Sequence, residues 1–267
     1  MKNIINTTTL RAIAFSAVAG LGIFGAPAYA GFIAYEIRNA PDIIDHGTSI
    51  EFIIDGGNKK AALGSNDING FTLGEITNLH IDRLDDRSRF TAGSGPFTAP
   101  YLNFWITDGA GNYAVVANEP SNADFYSLYN DGYNLSFADL SDKTAKIYEN
   151  SNTSWLPNNG TGLTFADLAN FEIAIPTVLE LGTGWLGLGG GAPRESGTNI
   201  AYGVSWVFGD TLSNYVSGAT GYVVANARVA AASVPEPATL VLFGLGLVGI
   251  SAANRRKARL CSASQVS

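Results

Sequence analysis

The chain has 267 residues, of which 46% are hydrophobic, 11% aromatic and 15% charged, with a formal net charge of −7. The surplus of acid argues against a nucleic-acid-binding surface, which needs clustered lysine and arginine. The only cysteine is Cys261, near the C-terminal end, so no disulfide framework is available and a folded domain must rest on its apolar core.

Lys2 and Arg11 give a weakly basic start, Ala12 to Ala26 carry no charge, and Ala28-Tyr29-Ala30 has the small-x-small pattern that precedes a cleavage site. Residues 1–30 therefore read as a secretory signal peptide, translocated by the Sec machinery and removed by signal peptidase. Gly31 becomes the first mature residue. Charge is then divided unevenly: residues 31–233 hold 22 Asp and Glu against 10 Lys and Arg, a net charge near −12.

β-Branched and aromatic runs dominate this exported part. Strands are predicted over Phe32–Arg38, Ser49–Ile54, Glu75–Ile81, Tyr101–Thr107, Tyr113–Ala117, Lys143–Tyr148, Phe171–Pro176, Ile200–Phe208 and Gly221–Val229. Turn dipeptides separate them: Asp55-Gly56, Asn69-Gly70, Asp108-Gly109, Asp131-Gly132 and Asn159-Gly160. The clearest hairpin joins Tyr101–Thr107 to Tyr113–Ala117 through Asp108-Gly-Ala-Gly-Asn112. The expected class is all-β: an antiparallel, jelly-roll-like β-sandwich over residues 31–229, with a closed barrel as the alternative. Residues 230–233 read as a small-residue linker.

One hexapeptide recurs, Leu135-Ser-Phe-Ala-Asp-Leu140 and Leu163-Thr-Phe-Ala-Asp-Leu168. Ser136 with Asp139, and Thr164 with Asp167, are placed to cap a short helical turn, while the Phe and Leu pack against a sheet.

Candidate chemistry is sparse. The two histidines, His46 and His80, show no metal-ligand spacing, although strand alternation sets His80 and Asp82 on one face. Glu51, Glu75, Glu172 and Glu180 are strand-associated acids, but nothing in the sequence selects a hydrolytic pair among them. No Gly-x-Ser-x-Gly occurs. Gly182-Thr-Gly184-Trp-Leu-Gly187 matches a dinucleotide fingerprint, but it neither follows a strand nor opens a helix in a βαβ unit. The domain is accordingly read as non-enzymatic and free of cofactor. Calcium is the cation its oxygen-rich turns would hold, with Asp67, Asn69, Asp108 and Asn112 as candidate ligands. Trp105 and Trp206 fall in predicted strands and belong to the core. Trp155 and Trp185 fall in loops, where an indole ring can stack on a sugar.

The C-terminal end has three parts. Val234-Pro235-Glu236-Pro237 comes first, and its prolines hold the chain extended. Ala238 to Ala253 carry no charge and span roughly 24 Å as a helix, against about 30 Å of bilayer hydrocarbon. Arg255, Arg256 and Lys257 then form a stop-transfer cluster, which keeps residues 258–267 in the cytoplasm.

The arrangement from Val234 to Lys257 resembles the PEP-CTERM sorting signal of exported proteins in Gram-negative bacteria. The resemblance implies recognition by an exosortase acting at or near Pro235-Glu236-Pro237. It further implies an exported protein of the cell surface or extracellular matrix, associated with exopolysaccharide and biofilm in a structural or adhesive role. A lectin-like carbohydrate-binding sandwich, calcium-assisted, is the alternative, and a secreted hydrolase ranks below it.

Overall fold

The computed structural model describes residues 31–56, 58–85, 98–119, 122–125, 128, 133–149, 152–181, 192–209 and 221–232. The expected signal peptide, Trp185 and everything from residue 233 onward, including the expected membrane helix, lie outside these residues. Among them no helix is long and apolar enough to cross a membrane.

Two antiparallel sheets make up the fold. The larger is ordered β1 (Ile33–Arg38), β4 (Lys60–Ser65), β11 (Val204–Phe208), β6 (Tyr101–Thr107), β7 (Tyr113–Ala117) and β9 (Lys146–Glu149), with the short β10 (Glu172–Ile173) also paired to β6. The smaller is ordered β2 (Asp42–Asp45), β3 (Ile50–Ile53), β12 (Tyr222–Ala231), β5 (Ile76–Arg83) and β8 (Tyr133–Leu135). Among the described residues neither sheet closes on itself, and the two face each other across one core, as in a sandwich and not a closed barrel. The helices are short, among them α1 (Phe137–Leu140) and α2 (Val178–Leu181).

The core follows from period-two patterning. In β5, Leu79, Ile81 and Arg83 are buried while His80 and Asp82 between them are only half-buried. Rings from the two sheets meet between them: Phe52 of β3 stacks on Phe208 of β11 with centroids 4.2 Å apart, and Tyr133 of β8 meets Trp206 of β11 edge to face at 5.4 Å. These pairs supply contact beyond their buried area.

The central strands β4, β11 and β6 of the larger sheet are buried on both faces, and all seven residues of β6 are out of water. Leu102, Phe104 and Ile106 face the inter-sheet core. Trp105 faces the other way, into a cluster with Val115, Ala117, Tyr148, Leu181, Ala192 and Ala201. Beside it, Tyr35, Ala62, Tyr101, Tyr202 and Val207 form a third cluster. The segment leading into β11 thus lies across the sheet as a cover. Tyr202 occupies the space above Gly64 of β4, where a Cβ would stand 2.4 Å from its ring. Its hydroxyl donates to Glu195 at 2.9 Å, while that of Tyr35 shares a 2.9 Å hydrogen bond with Ser205. Burial pushes both phenols up, Tyr202 to about 12.

Nine predicted strands have counterparts, and the register from Asn103↔Ala117 to Thr107↔Tyr113 forms the predicted hairpin. Several boundaries differ: β9 starts at Lys146, β10 is only Glu172–Ile173, and two further shifts bear on packing. β11 starts at Val204, not at Ile200, because Ala201 and Tyr202 belong to the cover. The expected 230–233 linker is strand through Ala231: Ala230 pairs with Asn78, Ala231 with Ile76, and the Ala232 amide donates to the Glu75 carbonyl at 3.0 Å. Small side chains there serve packing, since Ala230 and Ala231 are buried. β2, β4 and β8 were not among the predicted strands.

Candidate functional site

The C-terminal signal is attached to a fixed point. β12 runs between β3 and β5 and ends against a 3-10 turn at Leu73–Glu75. That turn is closed by the Glu75 carboxylate, which accepts from the Thr72 amide at 2.7 Å and from the Thr72 hydroxyl at 3.1 Å. The same residue's carbonyl takes the Ala232 amide. The folded domain therefore reaches Ala232, and Val234, Pro235, Glu236 and Pro237 follow within a few residues. The motif itself, with Arg255, Arg256 and Lys257, lies outside the described residues, as do Ala28 and Ala30 of the expected cleavage site.

Gly31 opens the described chain. Its backbone N–H donates to the Asp67 carboxylate at 2.9 Å. Asp67 is thus engaged by the N-terminal end of the domain, and Asn69 turns its amide to Asn66 Oδ1 at 3.3 Å. The Asn66 carbonyl oxygen of that side chain also accepts from Gly203 at 2.8 Å, which anchors the loop. Asp108 closes the β6–β7 turn by itself: its carboxylate accepts from the amides of Ala110 at 2.8 Å and Asn112 at 3.2 Å, and from the Asn112 side chain at 2.6 Å. Burial works to raise this carboxyl, yet those donors outweigh it and hold it below the usual range. Among the described residues, no group of three or more His, Cys, Asp or Glu is arranged to hold a metal ion.

Trp155 is half-buried. Its indole N–H donates to the Asn152 carbonyl at 2.9 Å, and its ring meets Phe171 edge to face at 5.5 Å. Phe171 in turn lines a surface groove of about 370 Å³ with Gly70, Thr72, Thr107, Asp108, Gly109, Asn170 and Glu172. The Asp108 turn thus lines this groove, whereas Trp155 stands behind it, in contact with Phe171. Thr72, Asn170 and Phe171 in that groove escaped the sequence reading, and Glu172 entered it only as one strand-associated acid among several. The available signal was the Phe171–Pro176 strand, whose first residues pair with both Thr72 and β6.

The histidines take local partners. His80 Nε2 lies 2.9 Å from Asp82 Oδ1, as strand alternation predicts, and Asn226 donates to the other Asp82 oxygen at 2.6 Å. The Asn226 amide is the main reason the Asp82 carboxyl sits below its usual range, with His80 adding to it. His46 Nε2 lies 3.1 Å from Glu51 Oε2. The repeated hexapeptide is capped as expected: Asp139 accepts from the Ser136 amide and hydroxyl at 2.7 and 2.8 Å, and Asp167 accepts from those of Thr164 at 2.8 and 2.9 Å.

Neither a curated protein nor a solved structure matches the chain. A family model described as the PEP-CTERM protein-sorting motif matches residues 233–257. The chain therefore carries a PEP-CTERM protein-sorting motif directly after its last strand, which implies an exported protein processed at the cell envelope by an exosortase.

Proposed function

We propose that this protein is a non-enzymatic component of the cell surface or extracellular matrix, delivered there by exosortase sorting and acting structurally or as an adhesin among exopolysaccharide. Signal peptidase frees Gly31 during export, and the 238–253 helix with Arg255, Arg256 and Lys257 then holds the chain in the membrane until it is sorted. The displayed part is an acidic, jelly-roll-like sandwich. The observation that carries this reading is the sorting motif at 233–257 joined to a domain ordered up to Ala232. Its test is replacement of Pro235, Glu236 and Pro237 by alanine in the host. The expected outcome is an unprocessed chain retained in the membrane. A wild-type mature C-terminus and unchanged surface display would overturn it.

A second reading, a carbohydrate-binding module, is favoured by the 370 Å³ groove in which hydroxyl, amide and carboxylate groups surround Phe171. Aromatic faces with neighbouring polar groups suit polyhydroxylated rings. A glycan array of the exported protein, repeated with Phe171→Ala, tests it. Binding lost in the variant supports this reading, and a blank array removes it.

A further inference from the structure

Register in the larger sheet brings the start of the domain to one particular acid. β1 pairs with β4 with Ile33 opposite Gly64, so the two residues before β1 run past the end of β4 toward 66 and 67. There the Gly31 N–H meets Asp67 Oδ2 at 2.9 Å. Asp67 is not free to drift. Asn66, before it, is bonded to the Gly203 amide at 2.8 Å, and Ile68, after it, is fully buried in the core. The Asp67 amide also donates to Ser65 Oγ at 3.2 Å. An exposed carboxylate is thereby held on a rigid turn, facing the nitrogen of the residue expected to begin the mature chain.

We propose that Asp67 is the docking site for the α-ammonium group of Gly31, created when the signal peptide is removed. The inference rests on the export reading above and on cleavage between Ala30 and Gly31. Hydrolysis of that peptide bond consumes one water. The Ala30 carbonyl carbon takes the hydroxyl and leaves as a carboxylic acid, and the Gly31 nitrogen takes the proton. Free α-amines have pKa values of about 7.7–8.0, so the new terminus is cationic at neutral pH. What was a neutral amide donor becomes a charge-assisted hydrogen bond and ion pair in the same place. The contact thus reads the processing state of the chain: it gains a charge only in the mature form. It ties the new terminus down beside β4, where a loose end would fray and invite aminopeptidases.

The experiment uses the protein exported and processed by its host, as wild type and as Asp67→Asn. Mass spectrometry first identifies the N-terminal residue. A chain that begins elsewhere overturns the cleavage position and the docking with it. With Gly31 first, the α-amine is labelled at neutral pH with an amine acylating reagent. Labelling in D67N is expected to be about 2- to 5-fold faster than in wild type, the range of an exposed ion pair. Equal rates would overturn the docking while leaving the cleavage reading in place. Acetylating the same amine provides a second readout. It should lower the wild-type Tm by about 1–3 °C and leave D67N unchanged. Equal Tm changes in the two proteins would also count against the docking.

Discussion

Arg83 and Asp85 form an ion pair with both side chains out of water, 0% and 2% exposed. The guanidinium also donates to the Tyr133 hydroxyl at 3.2 Å and stands over that ring, while Asp85 accepts from the Val223 amide at 3.3 Å. The pair therefore ties β5 to β8 and to β12. Breaking a buried pair by neutralising one member costs about 3–5 kcal/mol, because the remaining charge loses its close counter-charge. Asp85→Asn should lower stability by that amount in urea unfolding. The double variant Arg83→Met, Asp85→Leu should lose less than D85N alone, because both buried charges are removed together.

Gly64 is required by Tyr202. A methyl group at this position would meet the tyrosine ring at 2.4 Å, so Gly64→Ala must push the cover segment off the sheet. Overpacking of this kind costs about 1–3 kcal/mol. The variant should show a lower Tm, a changed near-ultraviolet tyrosine signal, and faster proteolysis within 192–203.

The β6–β7 turn should titrate. Donors around Asp108 hold its carboxyl below the usual aspartate value of 3.8, so the ionised form is favoured in the folded state. Its stabilisation is complete above the unfolded-state value and is lost as pH falls through the lower folded-state value. Because Asp108 is largely exposed, the effect should be small, below about 1 kcal/mol. Asp108→Ala should melt below wild type at pH 6, and the gap should close as pH drops below 3.8.

Ala230 to Ala232 belong to the domain. Ending the chain at Val229 removes two buried alanines, their pairing to β5, and the Ala232–Glu75 hydrogen bond. At about 0.5–1.5 kcal/mol per hydrogen bond, a 31–229 fragment should be roughly 2–4 kcal/mol less stable than a 31–232 fragment by denaturant unfolding. Equal midpoints would restore the linker reading.

How far the fold was legible depended on side-chain type. Tyr101–Thr107 is readable because Tyr, Phe, Trp and Ile crowd a run bounded by an Asp-Gly turn. Lys60-Ala-Ala-Leu-Gly-Ser65 is not, since alanine and glycine carry little strand preference. Yet β4 is a central strand, and its small residues are what permit Tyr202 to lie on Gly64 and Tyr35 to pack beside Ala62. β2 carries aspartates at both ends, and β8 has only three residues, so neither offers a period to detect. The caps at Ser136 and Thr164 were legible because they are local. The groove beside Phe171 was not, because Thr72, Asp108 and Glu172 are neighbours only through strand pairing.

The place of β12 also sets an order of events during secretion. It is the last strand among the described residues, yet it is inserted in the middle of the smaller sheet, hydrogen-bonded to β3 on one side and β5 on the other. Until it emerges, a nascent chain crossing the inner membrane presents two raw strand edges and cannot seal its core. Closure requires residues up to 232, which is the point at which the sorting motif follows directly behind. Completion of the sandwich and presentation of the signal thus coincide, so a chain truncated before β12 arrives neither folded nor addressed.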